Sequence, residues 1–65
     1  MKNGDHVTWN TSQGETSGKV VERKTKDFTF DGQHFTASED DPMFIVESDK
    51  SGKKAAHKGS ALHAK

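Results

Sequence analysis

The longest apolar run in this chain is four residues, Met43-Phe44-Ile45-Val46, and it follows a proline. That stretch sets what the chain can become. A run so short, bounded by turn residues, suits a buried strand and is too brief for a helix or a membrane span. Pro42 has no backbone N–H and fixes its own φ, so it suits the first position of a strand and not its middle. Asp41 before it is pushed to an extended conformation. Ahead of it, Ala37-Ser38-Glu39-Asp40-Asp41 reads as an acidic turn. The remaining strands are expected to pack around Met43 to Val46.

The core available to them is thin. Leu, Ile, Val and Phe number ten in 65 residues, a fraction at which disorder competes with folding. Disorder also requires a high net charge, and here ten basic residues balance ten acidic ones. The apolar residues are also patterned. One small folded β domain is therefore expected over residues 1–65, with an ordered core about 4–62 and frayed ends. The chain has no cysteine. This excludes disulfides, thiolate zinc sites and cysteine nucleophiles, and it fits a reducing compartment. The N-terminus has no apolar segment of a secretory signal, so a soluble cytoplasmic protein with no membrane contact is the expectation. The zero net charge conceals an asymmetry. Residues 1–49 carry five basic and ten acidic side chains, and residues 50–65 carry five lysines and no acid.

Taken in order, Gly4-Asp5-His6-Val7-Thr8-Trp9-Asn10 reads as a turn and a strand, with Val7 and Trp9 on one face. Thr11-Ser12-Gln13-Gly14 is a polar loop. Glu15 to Lys24 is a second strand, in which Gly18 marks a bulge, a bend or the approach of another backbone. Val20 and Val21 face opposite ways. Phe28-Thr29-Phe30-Asp31-Gly32-Gln33-His34-Phe35 has Asp-Gly between alternating residues, which predicts a two-residue type I′ hairpin. Its register sets Phe28 against Phe35 and Phe30 against Gln33, with all three phenylalanines on one face. Such a Phe–Phe cross-strand pair contributes about 0.2–1 kcal/mol. A strand from Met43 to Ser48 follows, then a polar turn, Ser48-Asp49-Lys50-Ser51-Gly52, and a short strand from Lys53 to His57. Gly59-Ser60-Ala61-Leu62 predicts one helical turn with Ser60 as N-cap and Leu62 as anchor. His63-Ala64-Lys65 is expected to fray. Four to five short antiparallel strands in so few residues predict a small barrel, whose closure removes exposed edges.

Two resemblances bear on this reading. Gly4-Asp5-His6-Val7-Thr8-Trp9, with Gly14 and Gly18-Lys19-Val20-Val21, resembles the opening of SH3-like barrels of the Tudor and KOW type. The acidic turn with Pro42, the apolar strand, Ser48-Asp49-Lys50-Ser51-Gly52 and Ala55-Ala56-His57-Lys58 with Leu62 resemble the hypervirulence-associated Tudor-like domain family over nearly the whole chain. The resemblance implies an all-β, five-stranded SH3-like barrel, in a family named for a phenotype rather than a chemistry. Gly59-Ser60 stands where that family's pattern has a proline and an acid.

Tudor domains that read methylated lysine or arginine hold the cation against several aromatic faces. Here Trp9 and Phe44 are assigned to the core, because so few apolar residues are available to fill it. Phe28, Phe30 and Phe35 exceed what a small interior accommodates and form a candidate exposed patch, beside Glu39, Asp40 and Asp41. Lys50, Lys53, Lys54 and Lys58, with His57 and His63 interleaved, form the candidate nucleic-acid surface. A single arginine, Arg23, and no overall basic excess argue that such binding is weak. Three adjacent acids on an extended turn diverge and make a poor cation site. Their expected role is to cap turn N–H groups with Ser38 and to pair with Lys58 or His57. The four histidines have no metal-ligand spacing, so no metal, cofactor or catalytic residue is assigned. The expected function is a non-catalytic interaction module with a protein partner, as a monomer or weak homodimer. The alternative is weak nucleic-acid binding through the lysines.

Overall fold

Pro42 stands immediately before a strand, and all four residues of the run behind it are buried. The computed structural model describes residues 2–64. Its strands are β1 (His6–Thr11), β2 (Gly14–Lys24), β3 (Phe28–Phe30), β4 (Gln33–Phe35), β5 (Met43–Ser48), β6 (Lys54–Lys58) and β7 (His63–Ala64). One antiparallel sheet has the order β6-β5-β2-β1-β7, and β3–β4 forms a separate hairpin. The β5 strand therefore lies between β2 and β6, as its apolar run predicts. The fold is all-β and Tudor-like. Among the described residues no ladder joins β6 to β7. A three-residue 3₁₀ turn, Gly59–Ala61, carries the chain across that gap.

The core is one cluster of Val7, Trp9, Val20, Phe44, Val46 and Leu62, with Ala55 packed against it. Val7 and Trp9 share a face of β1, and Phe44 and Val46 share a face of β5, by the two-residue period of a strand. Met43 and Ile45 are equally buried but lie outside that cluster. Alternation turns them to the other face of β5, where Ile45 stands opposite Ala56. The hairpin lies by that face, because Phe30 and Phe35 share a groove with Lys54, Ala55 and Ala56.

Several expectations are corrected. The bulge in β2 falls at Val21 and not at Gly18: Val20 pairs with Val46 and Glu22 with Ile45, which leaves Val21 as the extra residue. Gly18 has the other role open to a strand glycine, close approach. A Cβ there would overlap the Glu47 carbonyl oxygen and stand 2.8 Å from the Trp9 ring. The terminal turn is 3₁₀, its N-cap residue is Lys58, and no side chain caps it, so Ser60 sits inside the turn. Gly59 suits this position because a Cβ would come within 3.1 Å of the Phe44 ring. His63 and Ala64 are not frayed; they pair with Thr8 and Val7 as β7. Lys65 lies outside the described residues. Leu62 is buried as the expected anchor.

Candidate functional site

Asp31 and Gly32 both have positive φ, 52° and 75°, as a type I′ turn requires. The register is the expected one: Phe28 opposite Phe35, Thr29 opposite His34, Phe30 opposite Gln33. The base of the hairpin is tied by the Asp27 carboxylate, which accepts the Ala37 N–H at 3.3 Å. All three phenylalanines are half-buried while Thr29 and His34 are exposed. They divide into two roles. Phe28 stacks on Phe35 with ring centroids 5.4 Å apart and planes at 21°. The Lys24 ammonium lies 5.5 Å from the Phe28 centroid, within cation–π range, and it also pairs with Glu22 at 2.9 Å. Phe28 is thus occupied within the fold. Phe30 and Phe35 instead wall an open groove of about 270 Å³, faced by Lys54, Ala55 and Ala56 of β6 and rimmed by Asp31 and Gln33. The two alanines leave the space that larger side chains would fill.

The acidic turn stands apart from this groove. Asp41 and Ser38 exchange backbone hydrogen bonds at 3.2 Å, and the Asp41 N–H also reaches the Ser38 hydroxyl at 3.1 Å. Ser38 therefore caps the turn as expected. The Asp41 carboxylate does not cap; it accepts from the Lys58 ammonium at 2.6 Å. This is the expected tie between the acidic turn and the C-terminal segment. Glu39 and Asp40 are exposed. The adjoining hollow, about 160 Å³, is lined by Thr36, Ala37, Ser38 and Asp41 and shares no residue with the phenylalanine groove. Among the described residues no cluster of three or more His, Asp or Glu side chains could hold a metal ion.

The lysines are also divided. Lys58 is committed to Asp41. Lys53 and Lys54 border a second groove of about 310 Å³, lined by Trp9, by serine and threonine residues of β1, β2 and the turn between them, and by Ser48 and Ser51. Among the described residues no carboxylate lines it. Lys54 borders both grooves, and Lys50 borders neither. Trp9 and Phe44 are both in the core. The aromatic walls of the first groove are thus Phe30 and Phe35, and they share it with Lys54, whose positive charge opposes a cationic ligand. His57, expected among the basic residues or against the acids, packs instead on Trp9, with ring centroids 5.6 Å apart and planes at 40°. Partial burial there lowers its pKa from the ordinary 6.5, since a charged imidazolium loses hydration. The sequence did not point to Ala55, Ala56 and Gln33 as groove residues; small or neutral side chains carry no signal until a strand is set opposite the hairpin.

A sheet of short antiparallel strands with an aromatic hairpin at its side defines a small all-β module. The chain matches the family model described as "Hypervirulence associated proteins TUDOR domain" over residues 4–62 of its 65 and belongs to that family. Comparison with curated proteins and with solved structures gave no match. Tudor domains are small binding modules and generally non-catalytic. No helix among the described residues is long and apolar enough to cross a membrane.

Proposed function

We propose that this domain is a non-catalytic protein-interaction module whose contact surface is the groove between Phe30 and Phe35 of the hairpin and Lys54 to Ala56 of β6. One observation carries the reading. Two phenylalanine rings stay outside the core and are held at the side of an open groove by a well-formed hairpin. Leaving aromatic surface uncovered in a chain this poor in apolar residues is costly unless a partner covers it. The rim residues Asp31, Gln33 and Lys54 supply polar specificity around that apolar centre.

A second reading is favoured by the carboxylate-free groove at Lys53 and Lys54, which could take a phosphate backbone. The two separate by salt and by mutation. Phe30→Ala should leave a dispersed amide spectrum, since Phe30 is outside the core cluster, and should abolish partner binding that persists at moderate salt. Lys53→Gln, which touches the second groove alone, should leave that binding in place. If instead Lys53→Gln abolishes association, and association also vanishes between low and moderate salt, the phenylalanine reading is wrong.

A further inference from the structure

Among the described residues the outer edge of β6 has no ladder partner, and its polarity follows from the register. The Ser48 N–H donates to the Lys53 carbonyl at 2.9 Å, and the Gly59 N–H donates to the Pro42 carbonyl at 3.4 Å. Both bonds lie one step beyond the ends of the ladder that pairs Met43 with Lys58 and Glu47 with Lys54. Hydrogen-bonded and non-bonded pairs alternate in an antiparallel ladder. Ala55 and His57 therefore turn their N–H and C=O groups toward β5. Lys54 and Ala56, and the N–H of Lys58, turn theirs away from it. Among the described residues none of these outward groups has a backbone partner. This edge is also the wall of the phenylalanine groove, which Lys54 and Ala56 line.

Resting on the reading of that groove as a protein-binding surface, we infer that the partner binds as an extended peptide that adds a strand to β6. Its backbone pairs with Lys54, Ala56 and Lys58. One apolar side chain enters between Phe30 and Phe35, and an acidic side chain two residues away on the same face meets Lys54. Strand addition gives affinity through the main chain and specificity through alternate side chains. Charge decides for a foreign acidic segment over a second copy. In the register centred on Ala56, a symmetric β6–β6 pair would set Lys54 of one copy, which has no ion pair among the described residues, opposite a Lys58 already held by Asp41, so no carboxylate of the second copy is left to meet it. Edge lysines in this position discourage self-pairing while attracting an acidic strand.

The test selects peptides from a library of short random linear sequences on the folded protein, keeping those lost with Phe30→Ala. Enriched peptides should carry an acid two residues from an apolar side chain. On binding they should slow amide exchange at Lys54, Ala56 and Lys58 in the labelled protein. N-methylation of the peptide at alternate residues should weaken it by about tenfold or more, since each blocked donor leaves a strand acceptor unpaired. Ala56→Pro removes one outward N–H and no ladder bond, so it should stay folded and lose the peptide. If that variant does not fold, the N-methylated peptides still decide. Peptides that need Phe30 but tolerate N-methylation and leave the edge amides unprotected would overturn strand addition and leave the groove reading standing. No Phe30-dependent peptide at all would sink both. Protection of the same amides that rises with protein concentration alone would show the second copy to be the occupant.

Discussion

At the scale of single residues, Gly18 and His57 carry the sharpest consequences. Gly18 pairs with Val7 on one side and Ser48 on the other, and any Cβ there meets the Glu47 carbonyl and the Trp9 ring. Both obstacles are rigid, one being backbone and the other the centre of the core. Gly18→Ala should therefore cost about 3 kcal/mol or more. That is a large share of the roughly 3–10 kcal/mol expected for a domain of this length. Urea unfolding followed by Trp9 fluorescence reads it directly; an unchanged midpoint would mean the strands part easily at Gly18. The His57 prediction concerns pH. Its folded pKa lies below the ordinary 6.5 because of burial against Trp9. Between those two values the unfolded chain binds more protons than the folded one, so stability rises with pH. The contribution is fully present above 6.5 and is lost as the pH falls through the lower folded value. The urea midpoint should drop on acidification through that window, and His57→Phe should flatten the drop. An equal drop in the variant would assign it to other groups.

At the scale of elements, the C-terminus tests what holds the sheet's last strand. Leu62 is in the core cluster, whereas β7 adds only a two-residue ladder on β1. Leu62→Ala should cost about 2–3 kcal/mol. Ending the chain after Leu62 should cost about 1 kcal/mol, the net worth of a few surface hydrogen bonds. Thermal melts of the two variants rank them, and the reverse order would make β7 the fastener. The same contrast explains how much of the fold could be read from the chain. The hairpin was legible to the residue because Asp31-Gly32 and the alternation around it are local. The strand from Met43 to Ser48 was legible because Pro42 and the polar turn after it mark both ends. The Val21 bulge was not, since it exists only relative to β5. Nor was the pairing of β7, which depends on how the 3₁₀ turn redirects the chain. The candidate site divides in the same way. The phenylalanine face is written in the hairpin, but its opposite wall of Lys54, Ala55 and Ala56 arrives by long-range packing.

At the scale of the whole molecule, charge decides how strongly the alternative ligand could bind. The lysine-rich segment looks in the sequence like a continuous basic tail of residues 50–65. Folding breaks that continuity. Lys58 is drawn to Asp41 at the acidic turn, and Lys50 stands away from the groove that Lys53 and Lys54 share. The two ends of β6 thus face different electrostatic surroundings, and among the described residues Lys53 and Lys54 are the lysines that meet on a surface without a carboxylate. Duplex affinity falls with salt by about 0.9 log units per log unit for each phosphate neutralised. Two available lysines give a slope of about −1.8, while all four of the lysines from Lys50 to Lys58 would give about −3.6. The shallower slope, with affinity in the non-specific range, is the expected result for a DNA duplex titrated from low to moderate salt. Asp41→Asn should release Lys58 and steepen the slope toward about −2.7, since a third cation becomes free to meet phosphate. A slope that starts near −3.6 and does not respond to Asp41→Asn would mean that the tail acts as one basic surface, and that the Lys58–Asp41 pair opens at no cost when nucleic acid binds.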